Sequence, residues 1–324
     1  MANPEFLSFR PPSPGRPEAI DVEQLEARTR ALRGVDYQHG GGMCRDAVIV
    51  QIRWGHQMLG MTATDPLRDR LFTAVADLHN LAGWTCFDSG HFGDAFHHFD
   101  LALDLANQGH NDDLCANVHY RRGRVHLHYG TLDKALAHFE LGQLAARRSG
   151  SKLAASMLSV NQAWAFAKGG EAEVALGLLG RAQEEFADAE GTESPDWARF
   201  FTSTDLTAMV GTIQADLALT ASERHAGVAI PALTEAVAAF GPEMARSRAF
   251  CLISLATSHL LDGDVHHGAA IGTRAVREVE TLKSIRAKDR LRPLKLQADQ
   301  RRDQPEVRAL SDFITDFIAR PTHV

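Results

Sequence analysis

The sequence predicts an all-α fold, a right-handed solenoid of about five stacked helix pairs with extra helices at both ends. Three observations carry that expectation. Gly90, Gly130 and Gly170 recur every 40 residues, and each stands five residues before an alanine, at Ala95, Ala135 and Ala175. None of the 12 prolines falls between Pro66 and Pro195, so nothing interrupts helices across that span. A chain of 324 residues with 44% hydrophobic content can bury a large core.

The repeat unit can be read residue by residue. In the first copy Gly83 precedes the turn glycine by seven residues, and Phe99 and Ala102 follow Ala95. The second copy has Gly123, Gly130, Ala135, Phe139 and Gly142; the third, looser, has Ala163, Gly170, Ala175, Leu179 and Ala182. Small residues let two antiparallel helices approach closely, a turn glycine accepts positive φ, and the large residue fills the gap between pairs. These positions resemble the tetratricopeptide repeat, with its period of about 34 residues lengthened by roughly six.

Residues 1–19 carry five prolines and no hydrophobic period, and read as a disordered arm or linker. N-terminal helices are expected over 20–66: one from Val22 to Leu32 capped by Asp21, and one from Arg45 to Gly60 after the break at His39-Gly-Gly-Gly42. The repeats occupy 67–283, with a further copy from Arg246 to Leu282 that has Gly263 at its turn and Gly268, Gly272 and Ala275 at small positions. Residues 196–240 are helical but match poorly; Asp196 would cap a helix there and Pro231 would start or kink the next. Two helices, 284–301 and 305–319, the latter opened by Pro305, cap the array within 284–324.

A formal net charge of −7 argues against nucleic-acid binding by the chain as a whole, and the basic run from Arg286 to Arg302 reads as a solvated helix face. No run reaches the roughly 18 apolar residues of a membrane span, and the first residues lack the order of a signal peptide, so a cytoplasmic location is expected. The four cysteines, Cys44, Cys86, Cys115 and Cys251, lie far apart without metal-type spacing and read as buried thiols.

Several motifs point beyond a generic repeat. Asp21-Val-Glu-Gln-Leu, Arg33-Gly-Val-Asp36-Tyr-Gln-His39-Gly-Gly-Gly42, Leu81-Ala-Gly-Trp84-Thr-Cys-Phe-Asp88-Ser-Gly90 and Ala95-Phe-His-His98-Phe99 occur in this order, followed by Asp196-Trp197 and Arg246-Ser-Arg248-Ala-Phe250. Over about residues 20–318 the chain resembles the C-terminal sensor region of actinobacterial Xre-type helix-turn-helix transcriptional regulators. That resemblance implies a role in transcriptional control, probing a signal for a gene set such as secondary metabolism. It also implies a DNA-reading domain ahead of a Pro/Arg-rich linker, whereas only some 20 residues precede the first helix here. Either a truncated chain or a paralogue that has lost DNA binding is the expectation, and this chain alone is expected not to read DNA.

The first helix of each pair should line the concave side. The expected ligand surface is Asp77, Asn80, Trp84 and Asp88 from the first copy, Asn117, Tyr120, Arg121, Arg124 and His128 from the second, and Asn161, Trp164 and Lys168 from the third. Aromatic platforms, amides and both charge signs suit a peptide or a small polar metabolite. Arg121 and Arg124, three apart, would hold a carboxylate or phosphate, with Asn80, Asn117 and Asn161 offering amide bonds to a peptide. The bland alternatives are that Asp88 and Arg124 pair across repeats and that Trp84 and Trp164 only pack. A protein–protein adaptor, with a partner helix in the groove or a second copy as a dimer partner, is the competing class.

Among 16 histidines, His79, His91, His97, His98, His110, His119, His126, His128 and His138 crowd two repeats. Neither His97/His98 nor His126/His128 has the i,i+4 spacing of two metal ligands on one helix, so no metal is expected; His79, His98 and His119 would have to converge across helices. A proton-responsive surface is the better use. No nucleophile elbow, His-Glu-x-x-His or phosphate loop is present, and Asp77 and Asp88 are roughly 16 Å apart along a helix, so neither catalysis nor a cofactor is expected.

Overall fold

The computed structural model describes residues 16–61, 63–195 and 197–320. Among the described residues it contains α-helices and short 3-10 turns and no strand. Two helices precede the array, α1 (Ala19–His39) and α2 (Arg45–Leu59). Five antiparallel pairs follow: α3 (Asp65–Asp88) with α4 (Phe92–Gln108), α5 (Asp112–His128) with α6 (Leu132–Ser149), α7 (Lys152–Lys168) with α8 (Ala172–Asp188), α9 (Ser203–Thr220) with α10 (Ala226–Ala239), and α11 (Ala245–Asp262) with α12 (Val265–Glu280). The chain closes with α13 (Ile285–Asp289), α14 (Arg292–Asp299) and α15 (Pro305–Ala319). The expected helical-repeat fold is thus the observed one.

The turns repeat because the same hydrogen bond closes each. His91 N–H donates to Cys86 O at 2.8 Å, Thr131 to His126 at 3.0 Å and Glu171 to Phe166 at 3.0 Å. This is the geometry of a helix that ends in a left-handed residue, here Gly90, Gly130 and Gly170 at φ 82°, 70° and 80°. Within pairs, the rings of Phe99 and Phe139 occupy the space a side chain at Gly83 or Gly123 would need. The third copy carries Ala163 opposite the smaller Leu179, so the sum of volumes is kept.

Several expectations are corrected. α1 is longer than 22–32, and Asp21 is not its cap: it is the third helical residue, reaching back to accept from the Glu18 N–H at 2.9 Å in a capping box. Residues 196–240 hold a complete pair, which packs Gly211 against Leu233. That separation of 22 residues, against 16 for Gly83 and Phe99, hides the pair from a fixed period. Of the two roles expected of Pro231, to start a helix or to kink one, its place inside α10 excludes the first. The single helix expected over 284–301 is two, α13 and α14, the second with Pro293 in its first turn. The arm at 1–15 and the capping role of Asp196 lie outside the described residues.

The array closes on itself. Lys283 N–H donates to His39 O at 2.9 Å, and Gly42 N–H donates to Lys283 O at 3.2 Å. Gly40 sits at φ 88°, and a Cβ there would stand 2.7 Å from the Lys283 carbonyl oxygen, which is why the chain carries glycine at this junction. Beside it Arg246 grips Asp36 through two bonds of 3.0 Å, and Asp88 accepts from Arg286 Nε at 2.9 Å and from the Gly41 N–H at 2.8 Å. Asp36, Asp88, Arg246 and Arg286 are all buried, so this charged cluster ties the first helices to the last.

Candidate functional site

The closure leaves a partly open cavity of about 450 Å³. Helical residues on its wall come from α1, α3, α5, α7, α9 and α11, the inner member of every pair, and from α13 and α14, which lie across one side. None of the wall comes from α4, α6, α8, α10 or α12. The volume suits a small molecule or a few residues of peptide, not a partner helix.

Two tryptophans organise it. Trp84 on α3 lies under the Arg286 guanidinium, 4.5 Å from ring centre to carbon, with Arg121 at 5.4 Å. Forty residues on, the same position carries Arg124, and after another forty, Trp164. Trp164 is flanked by Arg290 at 4.5 Å, Arg124 at 4.8 Å and the Lys168 ammonium at 5.7 Å, while its indole N–H donates to Asp216. Arg124 also donates to the Tyr120 hydroxyl at 3.0 Å and to Asn161 Oδ1 at 3.3 Å.

Charge on the wall is unbalanced. Seven cationic side chains line the cavity against three carboxylates, Asp205, Asp216 and Asp289. Arg246 and Arg286 are offset by Asp36 and Asp88 behind the wall; Asp216 holds Lys168 at 3.4 Å, and Asp289 holds Arg292 at 2.8 Å and His128 at 3.4 Å. Arg121, Arg124 and Arg290 have no carboxylate within ion-pair distance among the described residues. Arg121 donates to the Asn80 carbonyl at 2.8 Å, whereas the buried Nε of Arg290 has no acceptor. Burial, and next the nearby Arg124, pull Arg290 down to about 9. Stacking on an indole returns about 0.5–2 kcal/mol, and desolvating an unpaired charge costs several. Arg290, half-buried, therefore carries a positive charge that no carboxylate of the wall pairs directly. Asp205, pushed up to about 6 by burial, loses about half of its negative charge by about pH 6.

Of the residues singled out in the sequence, Trp84, Tyr120, Arg121, Arg124, His128, Asn161, Trp164 and Lys168 meet at this cavity. Asp77, Asn80, Asp88 and Asn117 do not. Asp77 pairs with Arg33 of α1 at 2.5 Å, and Asp88 pairs with Arg286 rather than with Arg124. Asn80 holds the same repeat position as Tyr120, which does line the cavity, but its own amide is fully buried without a partner. Asn117 is likewise buried, with its Nδ2 unsatisfied. The three asparagines therefore do not form one row.

Sequence reasoning missed Arg286 and Arg290. They belong to the run read as a solvated face, yet Arg286 is 4% exposed and both point inward. Their i,i+4 spacing marks a shared face, and Phe250, 5.3 Å from each guanidinium, lies in a motif already noted. The histidines also resolve differently. His79 contacts His56 at 2.8 Å and His98 at 3.0 Å, while His119 contacts His138 at 3.3 Å instead of joining them. Among the described residues no group of three His, Cys, Asp or Glu side chains is arranged to hold one metal ion, and no helix is long and apolar enough to cross a membrane.

No family model and no curated protein matches the sequence. Solved structures do match the fold. One is the crystal structure of Rap protein complexed with competence and sporulation factor, at a TM-score of 0.52 and 10% sequence identity, covering 92% of this chain and 90% of that one. At that identity the likeness is one of fold: this chain is similar to a tetratricopeptide-like, all-helical repeat protein over nearly its whole length.

Proposed function

We propose that this chain is a sensor module that encloses a small metabolite or a short peptide in the central cavity, and that it serves a transcriptional regulator of the Xre type. The observation that carries the reading is the cavity itself, walled by every inner helix and crossed by α13 and α14. The motif resemblance described above supports the regulatory setting, and a fold neighbour was crystallised with a competence and sporulation factor bound. A guest touching Trp164 of α7 and Arg290, just after α13, would bridge the middle of the array to its terminal segment. It would favour the closed arrangement only to the extent that it binds that arrangement more tightly than an open one.

Thermal-shift measurement against fractionated cell extract tests this. A low-molecular-weight fraction should raise the melting temperature, by the equivalent of about 2.7 kcal/mol at a ligand concentration 100 times Kd. Stabilisation by macromolecular fractions alone would refute the enclosed-ligand reading in favour of an adaptor, and turnover of the bound compound would replace it with catalysis.

A further inference from the structure

The chain carries a net charge of −7, yet the cavity concentrates arginine. We propose that the space beside Trp164 is an anion subsite, in which Arg124 and Arg290 receive the carboxylate, sulfonate or phosphate of a ligand whose apolar part lies against the cavity's aromatic rings. This deepens the enclosed-ligand reading and rests on it.

Three independent observations converge. Arg124 and Arg290 both lie against the indole of Trp164, at 4.8 and 4.5 Å, and neither has a carboxylate partner among the described residues. Each repels the other, so an anion between them would relieve two unfavourable terms together. The Nε of Arg290 is buried and has no acceptor, a donor left open in a wall where other arginines are satisfied by Asp36 and Asp88. Finally, the two guanidiniums come from different parts of the chain, α5 and the residue that follows α13, so the site exists only when the terminal segment is in place. Planar guanidiniums suit oxyanions, and Trp84, Tyr120, Phe200 and Phe250 give the cavity its apolar, π-rich remainder. The class of ligand is thus an aryl or acyl compound bearing an oxyanion group, which includes a peptide C-terminus next to an aromatic residue.

The test uses two fluorescent probes with one ring system, anilinonaphthalene sulfonate and the neutral N-phenyl-naphthylamine. The full chain should bind the sulfonate with one-to-one stoichiometry and at least about tenfold more tightly than the amine. Arg290→Met and Arg124→Met should each lower sulfonate affinity by about tenfold and leave the amine unchanged, with lysine at either position restoring much of the loss. Arg290→Met without ligand should melt no lower than the parent chain, since it removes a half-buried charge that has no carboxylate partner. Equal losses for both probes, or a lower melting temperature with sulfonate affinity intact, would make these arginines structural and overturn the anion subsite while leaving the cavity reading standing. If the amine binds but the sulfonate does not, the anion proposal alone fails; if neither probe binds, the enclosed-ligand reading fails with it. The Arg124 variant, on a separate helix, keeps the test decisive if the Arg290 variant does not fold.

Discussion

Removing the Asp88 carboxylate should open the junction between the first and last helices. Asp88 is fully buried; it accepts from Arg286 Nε at 2.9 Å and from the Gly41 N–H at 2.8 Å, and it lies 3.5 Å from Arg246. In Asp88→Ala, Arg286 loses its carboxylate and the Gly41 amide is orphaned, whereas Arg246 keeps both bonds to Asp36. Breaking a buried ion pair costs about 3–5 kcal/mol and an orphaned buried donor about 1–3, and the two overlap in one site, so about 4 kcal/mol is expected. For a chain of this size that corresponds to a fall in Tm on the order of 10 °C. Asp88→Asn keeps the shape and an acceptor for Gly41, and should lose about half as much. Thermal melts followed by circular dichroism at neutral pH measure both. Melting of Asp88→Ala within about 2 °C of the parent chain would refute the closure argument. The pH dependence gives a second check. Burial alone would raise the Asp88 pKa, but Arg246, Arg286 and the Gly41 N–H hold it below the ordinary carboxylate value. Its contribution is therefore complete above about pH 4 and lost only as pH falls through the lower folded-state value.

Destabilisation between pH 7 and 5 must come from other groups, and His79 is the clearest. Burial, then His98 and His56, pull it down to about 3, so below about 6.5 the unfolded chain takes up a proton that the folded chain refuses. Stability should fall by about 1.4 kcal/mol per pH unit on this account, and His79→Gln should flatten the decline of Tm with acid; an unchanged slope would exclude His79. Gly123→Ala places a Cβ in the ring of Phe139 and should cost about 1–3 kcal/mol by denaturant titration, with Phe139→Leu in the same chain restoring part of it.

The repeats were legible because their causes are local. A left-handed glycine, a small residue and a large one recur within each helix pair, so the volumes that must fit together appear at constant separation in the chain, and the wall register of Trp84, Arg124 and Trp164 follows from the same period. The fourth pair escaped because Gly211 meets Leu233 at a different separation. The asparagine row failed because Asn80, Asn117 and Asn161 stand at three different positions of the 40-residue repeat, and Asn80 and Asn117 are buried away from the cavity.

What the sequence by itself determined is the all-helical repeat, since each helix pair carries its own turn chemistry and complementary volumes. Only the tertiary structure decided the site. Asp88 finds Arg286 at a separation of 198 residues, and Arg286 and Arg290 face inward only because α13 lies across the open side of the array. A basic face on a short helix reads the same whether solvent or a cavity receives it, and the difference is made by what packs around it.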